Sequence, residues 1–157
     1  MHISTYAAST HSSAQAVWQL WSNPQHWPLW DPAVERLEFS GPFRQHVKGT
    51  LTYKDGRQVT LEVVSCHMLE SLVVSIPYLR NTQLIVKRTL TRDGDLWAFE
   101  QETSLQGGKL DLLFLRGKKP ELLEASGVQM DRMFKMLEEG LKTSDEKSAA
   151  GRTQQGF

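Results

Sequence analysis

The sequence has little that would direct it to a membrane or stabilise it through disulfides. Cys66 is its one cysteine, so no intramolecular disulfide can form, which fits a reducing compartment. No stretch approaches the roughly 18 apolar residues that cross a bilayer. The first twenty residues also lack the basic start and apolar run of a secretory signal. We therefore expect a cytoplasmic protein without a membrane span.

The chain also lacks a surplus of either charge. It has 18 Lys and Arg against 18 Asp and Glu, which gives a formal net charge of zero. Such a balance offers no general attraction for nucleic acid. The five histidines are scattered, and His67 and its neighbour Cys66 would point to opposite faces of a strand, so no metal site is predicted. No glycine-rich phosphate-binding motif occurs, and we expect no cofactor.

The size and composition are those of one globular domain. The chain has 157 residues, of which 39% are hydrophobic and 23% charged. Residues 1–142 carry regular hydrophobic patterns. Residues 143–157 are small, polar and aperiodic, so we predict a disordered tail after the domain.

The pattern of apolar residues changes twice along the chain. Residues 2–9 alternate as a strand, and a short helix with one apolar face ends at Asn23-Pro24. Residues 24–32 are rich in proline and tryptophan and favour a short helical turn or an ordered loop. From 34 to 105, turn signals recur about every ten residues, as in an antiparallel meander. From Pro120 to Leu141, apolar residues recur every three or four positions and predict a long helix.

Two Asp-Gly turns set the predicted strand registers. A loop at residues 54–56 would place Gly56 in the left-handed conformation, and a two-residue loop at 93–94 would form the second hairpin. A further turn at 68–71 would pair His67 with Leu72. The other predicted pairs are Leu51 with Val59, Ile76 with Leu84, Val74 with Val86, Leu72 with Arg88, Val86 with Gln101, and Leu84 with Thr103.

This order of elements resembles the START-like superfamily, also called SRPBCC or polyketide cyclase/dehydrase-like. The residues that carry the resemblance are Ala16, Val17, Trp18, Trp27, Trp30, Asp31, Pro32, Gly41, Gly49, Gly107 and Gly108. The resemblance covers about residues 1–142. It implies an α+β helix-grip fold, in which a curved antiparallel sheet of about seven strands wraps around the C-terminal helix. It also implies that some relatives cyclise or dehydrate polyketide-like substrates.

The alternation of side chains along the strands predicts a largely apolar inner wall facing that helix. Apolar area with a few polar groups is what a small-molecule pocket needs. The predicted ligand-binding residues are Leu61, Val63, Val74, Ile76, Val86, Arg88, Phe99, Gln101 and Thr103 on the sheet, with Met130 and Phe134 on the helix.

Arg88 and His67 are the candidate catalytic residues. A buried guanidinium must be paired, and the predicted register places no carboxylate beside Arg88. Arg88 is therefore either a cation for a ligand carboxylate or enolate, or a surface residue whose stem lies along the wall. His67 is either a general acid or base, or a solvent-facing residue at a strand end. The four tryptophans between positions 18 and 30 form either a cage for a cation or a packed lid.

The favoured hypothesis is binding of a small hydrophobic or amphipathic molecule between the sheet and the C-terminal helix. An enzyme of the polyketide cyclase/dehydratase type is the first alternative. The second is an interaction module with a vestigial cavity, which exposure of both Arg88 and Gln101 would favour. The ligand and the oligomeric state stay open.

Overall fold

A seven-stranded antiparallel sheet and a long C-terminal helix make up the fold. The computed structural model describes the backbone of residues 1–155 and the side chains of residues 1–141. The prediction of a disordered tail over 143–157 falls outside the residues whose side chains are described. The strands are β1 (His2–Thr10), β2 (Val34–Phe39), β3 (Lys48–Tyr53), β4 (Gln58–His67), β5 (Ser71–Pro77), β6 (Gln83–Asp93) and β7 (Leu96–Gln106). The helices are α1 (Ala14–Ser22), α2 (Trp27–Trp30), α3 (Lys109–Phe114) and α4 (Lys119–Gln155).

The strands lie in the order β1-β7-β6-β5-β4-β3-β2, and every neighbouring pair is antiparallel. Strands β2 to β7 form the predicted meander, and β1 joins its far edge against β7. Helices α1, α2 and α4 cover the same face of the sheet and share one hydrophobic core with it. The predicted helix-grip fold is thus confirmed. Within the described residues, no helix is long and apolar enough to cross a membrane.

Side chains of α2 donate hydrogen bonds to the free carbonyls at the C-terminal end of α1. Ser13 caps the start of α1, where its hydroxyl accepts from the Ala16 N–H at 3.1 Å. At the other end, the last carbonyls of a helix need outside donors. The indole N–H of Trp27 donates to the Trp21 carbonyl at 2.9 Å, and that of Trp30 donates to the Leu20 carbonyl at 2.7 Å. These bonds hold the tryptophan-rich segment against the core.

The two Asp-Gly hairpins form, one of them with a shifted register. Leu51 pairs with Val59 as predicted, and Gly56 has the expected positive φ of 92°. In the second hairpin Asp93 pairs with Leu96, so the loop lies one residue later than predicted. Because this moves the register by two residues, every side chain keeps its predicted face. The observed pairs are Val86 with Thr103, Leu84 with Leu105, and Arg88 with Gln101.

The predicted register of His67 with Leu72 is wrong. A bulge between Val63 and Ser65 shifts the end of β4 by one residue, so that Cys66 pairs with Leu72. His67 therefore leaves the inner wall and is exposed. The turn that follows has three residues, with Leu69 in the left-handed conformation at φ 64°, instead of the four residues predicted. Strands β5 and β6 pair with each other in the predicted register along their whole length.

Helix α4 begins at Lys119, one residue before the predicted start, but it buries a different stripe. The buried positions are Ser126, Met130, Met133 and Leu137. Phe134 is 37% exposed, which corrects the prediction that it lies on the buried face. The predicted stripe with Phe134 and the observed stripe with Met133 both contain Met130 and Leu137. The observed stripe was harder to recognise in the sequence because one of its members, Ser126, is polar.

Candidate functional site

A cavity of about 310 Å³ lies between the sheet and the first turns of α4. Its floor is apolar and comes from strands β3 to β6, and its other walls come from Trp27, the turn after β5, and α4. The floor residues are Leu51, Val59, Ile76, Leu84 and Val86. One end is polar, where Thr103 and Ser126 share a hydrogen bond of 3.3 Å beside Gln129 and Asp31.

Three of the predicted ligand-binding residues line this cavity, namely Ile76, Val86 and Thr103. Five others, Leu61, Val63, Val74, Phe99 and Met130, lie in the solid core further along the sheet. There they share one hydrophobic cluster with the tryptophans of α1 and α2. Arg88 and Gln101 are buried next to that core, and Phe134 is exposed on the other side of α4. Contact of any of the eleven with a ligand stays a prediction.

Arg88 is a buried cation, so the surface interpretation of this residue is wrong. Its side chain is 2% exposed, and its Nε donates to the Oε1 of Gln101 at 3.0 Å. The guanidinium carbon lies 4.8 Å from the ring centre of Trp30 and 5.5 Å from that of Trp27. Both distances are within the range of cation–π attraction. The tryptophans therefore pack as a lid, and two of them lie over a cation that the protein itself provides.

A chain of hydrogen bonds connects Arg88 to Asp31 through two glutamines. Gln101 Nε2 donates to Gln129 Oε1 at 2.9 Å, and Gln129 Nε2 donates to Asp31 Oδ2 at 3.1 Å. We call these four side chains the polar chain. The other carboxylate oxygen of Asp31 accepts from the Ala33 N–H at 3.1 Å. The counter-charge of Arg88 thus comes from the loop after α2, and the sheet register could not show it.

Burial acts on the pKa values at both ends of the polar chain. Desolvation lowers the pKa of Arg88 to about 9, and the nearby carboxylate of Asp31 acts in the opposite direction. Desolvation also raises the pKa of Asp31, against the Ala33 N–H, the Arg88 charge and the Gln129 amide, which favour its ionised form. The Asp31 carboxylate and the Arg88 guanidinium thus stabilise each other's ionised form in a poorly hydrated environment.

Two tyrosines add neutral hydrogen-bonding groups to the cavity. Burial, together with the charge of Asp31, raises the pKa of Tyr53 to about 12. Burial also raises the pKa of Tyr78. Both phenols therefore keep their protons at neutral pH and can donate as well as accept. Arg57 reaches the outer rim, where its guanidinium lies over the Tyr53 ring at 5.0 Å and bonds Asp55 at 2.8 Å.

The turn after β5 closes one side of the cavity. Tyr78 and Leu79 line the space, and the next two residues, Arg80 and Asn81, both have a φ of 56°. Arg80 bonds Asp111 at 3.2 Å and lies 4.3 Å from the ring centre of Phe114, both on α3. These contacts fix a strained turn as part of the wall.

The structure does not bring His67 to the site, since this residue is exposed and has left the inner wall. The described part of the chain contains no group of three or more His, Cys, Asp or Glu side chains that could hold a metal ion. The sequence did not predict the polar cavity residues Asp31, Tyr53, Arg57, Tyr78, Ser126 and Gln129. Asp31 was visible only as one of the residues behind the family resemblance, and Gln129 gave no signal.

Comparisons with known proteins support the fold. No family model matches the chain, and no curated protein sequence matches it. DynU16, a protein of the dynemicin biosynthetic locus, matches with a TM-score of 0.67 at 18% identity over 87% of this chain and 47% of its own. The chain thus spans about half the length of DynU16. Protein MLL2253 from Mesorhizobium loti matches with a TM-score of 0.69 at 13% identity, over 87% of this chain and 98% of its own.

A point mutant of norcoclaurine synthase from Thalictrum, solved in complex with a transition-state analogue, is also similar. Its TM-score is 0.65 at 15% identity, over 87% of this chain and 94% of the synthase chain. At these identities the similarities concern the fold alone. The protein therefore shares its fold with these structures, and this fold is the helix grip that the resemblance implied.

Proposed function

We propose that this protein binds one small, largely apolar molecule in the cavity between its sheet and α4. The observation that carries the proposal is the contrast between the packed core and the open cavity. Trp18, Trp21, Trp27 and Trp30 are buried in the core, whereas beside Trp27 about 310 Å³ stays open above an apolar floor. This volume is at the lower end of the range of about 300 to 1,000 Å³ typical of ligand pockets.

The polar groups of the cavity suit such a ligand. The polar group around Thr103 and Ser126 and the two tyrosine hydroxyls would fix the orientation of a molecule whose affinity comes from contact with the apolar floor. The norcoclaurine synthase mutant was solved with a small molecule, a transition-state analogue, which supports a small-molecule role for this fold. Exposure of both Arg88 and Gln101 would have favoured the interpretation as a vestigial cavity, but they are only 2% and 1% exposed.

An enzyme of the cyclase or dehydratase type is the second candidate, and one observation favours it. Asp31 lines the cavity, and desolvation raises the pKa of its carboxyl. Such a carboxyl is a better proton acceptor than an exposed one. In this alternative Asp31 moves the proton, and His67 takes no part.

Isothermal titration calorimetry with 2-naphthylmethanol tests the binding proposal. This probe has an apolar body and a single hydroxyl, and we expect saturable binding with one molecule per chain. Val86→Phe puts a ring into the cavity, so the affinity should fall by about tenfold or more. The matched control is Ile85→Phe, which changes the neighbouring residue on the opposite face of β6 and should bind as the wild type does.

Two results would contradict the proposal. One is the absence of saturable binding to the wild type. The other is an equal loss of affinity in both variants while circular dichroism shows that both are folded. If Val86→Phe does not fold, Ala125→Phe takes its place, because Ala125 also lines the cavity but is exposed to solvent, where a ring disturbs the core less.

A further inference from the structure

The polar chain has a fixed direction, and Arg88 sets it. An arginine Nε carries a hydrogen and can only donate, whereas each glutamine amide has one accepting and one donating end. Gln101 must therefore turn its Oε1 towards Arg88, which leaves its Nε2 to donate to Gln129. Gln129 in turn accepts with Oε1 and donates with Nε2 to Asp31. The donors point outward from the core and end at the carboxylate.

Asp31 retains free acceptor capacity at the end of this chain. Each carboxylate oxygen can accept about two hydrogen bonds. One oxygen accepts from Gln129 at 3.1 Å and the other from the Ala33 N–H at 3.1 Å, so each keeps a lone pair. Asp31 also lines the cavity. A bound molecule thus meets an acceptor whose position is fixed from behind.

The cations near the cavity are less available to a ligand than Asp31. Arg88 is not among the lining residues, and its guanidinium is engaged by Gln101 and covered by Trp27 and Trp30. Its Nη1 is buried without a hydrogen-bond partner among the described residues, where the two indole faces give cation–π stabilisation instead. Arg57 lies at the rim and is paired with Asp55 at 2.8 Å. The cavity therefore presents one carboxylate, neutral hydroxyls and an amide to its occupant, with the paired guanidinium of Arg57 at the rim.

We infer that Asp31 is the recognition group of the cavity and that it selects a ligand with a hydrogen-bond donor, a protonated amine or a hydroxyl, on an apolar body. This inference rests on the proposed function. Arg88 is a positioning residue that aims the polar chain at Asp31 and balances its charge. The earlier interpretation of Arg88 as the partner of a ligand carboxylate or enolate predicts the opposite preference, because it favours an acidic ligand.

Four probes with one naphthalene body separate these possibilities in calorimetric titrations at pH 7.5. They are 2-naphthylmethylamine, 2-naphthylmethanol, 2-methylnaphthalene and 2-naphthoate. We expect the amine and the alcohol to bind more tightly than the methyl compound, and the naphthoate to bind at least about tenfold more weakly than the amine. Equal affinities, or tightest binding of the naphthoate, would overturn the inference and leave the proposed function standing. Failure of all four probes to bind would overturn the proposed function itself.

Two variants assign the roles of the charged residues. Asp31→Asn should remove the advantage of the amine over the naphthoate, whereas Asp131→Asn, on the exposed side of α4, should keep it. Arg88→Met should leave the preference for the amine over the naphthoate in place, because Asp31 is still there. If Arg88→Met instead weakens naphthoate binding alone, Arg88 contacts the ligand and the inference is wrong. The ratio of two affinities is the readout, so a uniform loss through instability does not imitate either result.

Discussion

The direction of the polar chain predicts that substitutions of Asp31 and Arg88 have strongly non-additive effects on the free energy of unfolding. In Asp31→Asn, one of the two acceptor oxygens becomes an NH2 group, so either the Ala33 N–H or the Nε2 of Gln129 faces a donor. If the oxygen of the new side chain stays with the Ala33 N–H, turning Gln129 over moves the conflict to Gln101, and turning Gln101 over moves it to Arg88, which cannot accept. One hydrogen bond is therefore lost wherever the conflict settles, and the Arg88 cation also loses its counter-charge.

The magnitudes follow from these losses. An unsatisfied buried polar group costs about 1 to 3 kcal/mol, and an uncompensated buried charge costs more. We expect Asp31→Asn and Arg88→Met each to lower the free energy of unfolding by about 2 to 4 kcal/mol. In the double variant no cation fixes the direction, so Gln101 and Gln129 can both turn over, and the Oε1 of Gln129 can then accept from the new amide at position 31. The double variant should then be more stable than the sum of the two single effects predicts, by about 1 to 3 kcal/mol.

Urea unfolding of the four proteins, followed by circular dichroism, measures this coupling. The slope with urea should stay constant, so that differences in midpoint report stability. The control cycle combines Asp31→Asn with Arg92→Met, which removes an exposed arginine from the same strand, and its effects should add. Additivity within about 0.5 kcal/mol in the Arg88 cycle would refute the directional chain.

Other predictions concern packing and backbone. Met133→Ala should lower the free energy of unfolding by about 2 to 5 kcal/mol, since Met133 is fully buried. Phe134→Ala, at the next position, should cost well under half as much. Equal urea midpoints of the two variants would contradict the assigned helix face. Gly127→Ala should increase the melting temperature more in a Tyr6→Phe background than in the wild type, because a Cβ at position 127 would lie 3.2 Å from the Tyr6 hydroxyl. Equal increases in thermal melts would show that this close contact does not oppose the substitution. Gly56→Ala should lower the urea midpoint, at a cost of about 1 kcal/mol, because Gly56 has a φ of 92°.

Local chemistry explains which parts of the fold could be predicted. Asp-Gly turns and the alternation of β-strands act over a few residues, so the strands, the hairpins and the register of β5 on β6 follow from the sequence. The register shift of two residues in the second hairpin changed which residues of β6 and β7 pair, but every side chain stayed on its predicted face of the sheet. The bulge in β4 changed a face, and neither glycine nor proline marks it. That single residue removed His67 from the candidate site.

The polar chain could not be predicted, because its members come from distant parts of the sequence. Asp31 lies in the loop after α2, Gln129 lies on α4, and 98 positions separate them. The parity of the sheet can identify neighbours of Arg88 on adjacent strands, such as Gln101. It cannot show which loop or helix residue completes a buried charge. The need for a counter-charge was visible in the sequence, but its source was not.

The clustering of tryptophans gives the molecule a built-in optical reporter. Trp27 and Trp30 have ring centres 4.8 Å apart, and those of Trp18 and Trp21 are 5.9 Å apart. Indoles at such distances share their electronic excitations, so the near-ultraviolet dichroism of the folded protein should be dominated by coupled pairs. Trp27 also borders the cavity, so a molecule that enters the cavity changes the surroundings of one pair directly. The native chain can thus reveal an occupant through its own spectrum, without an attached dye.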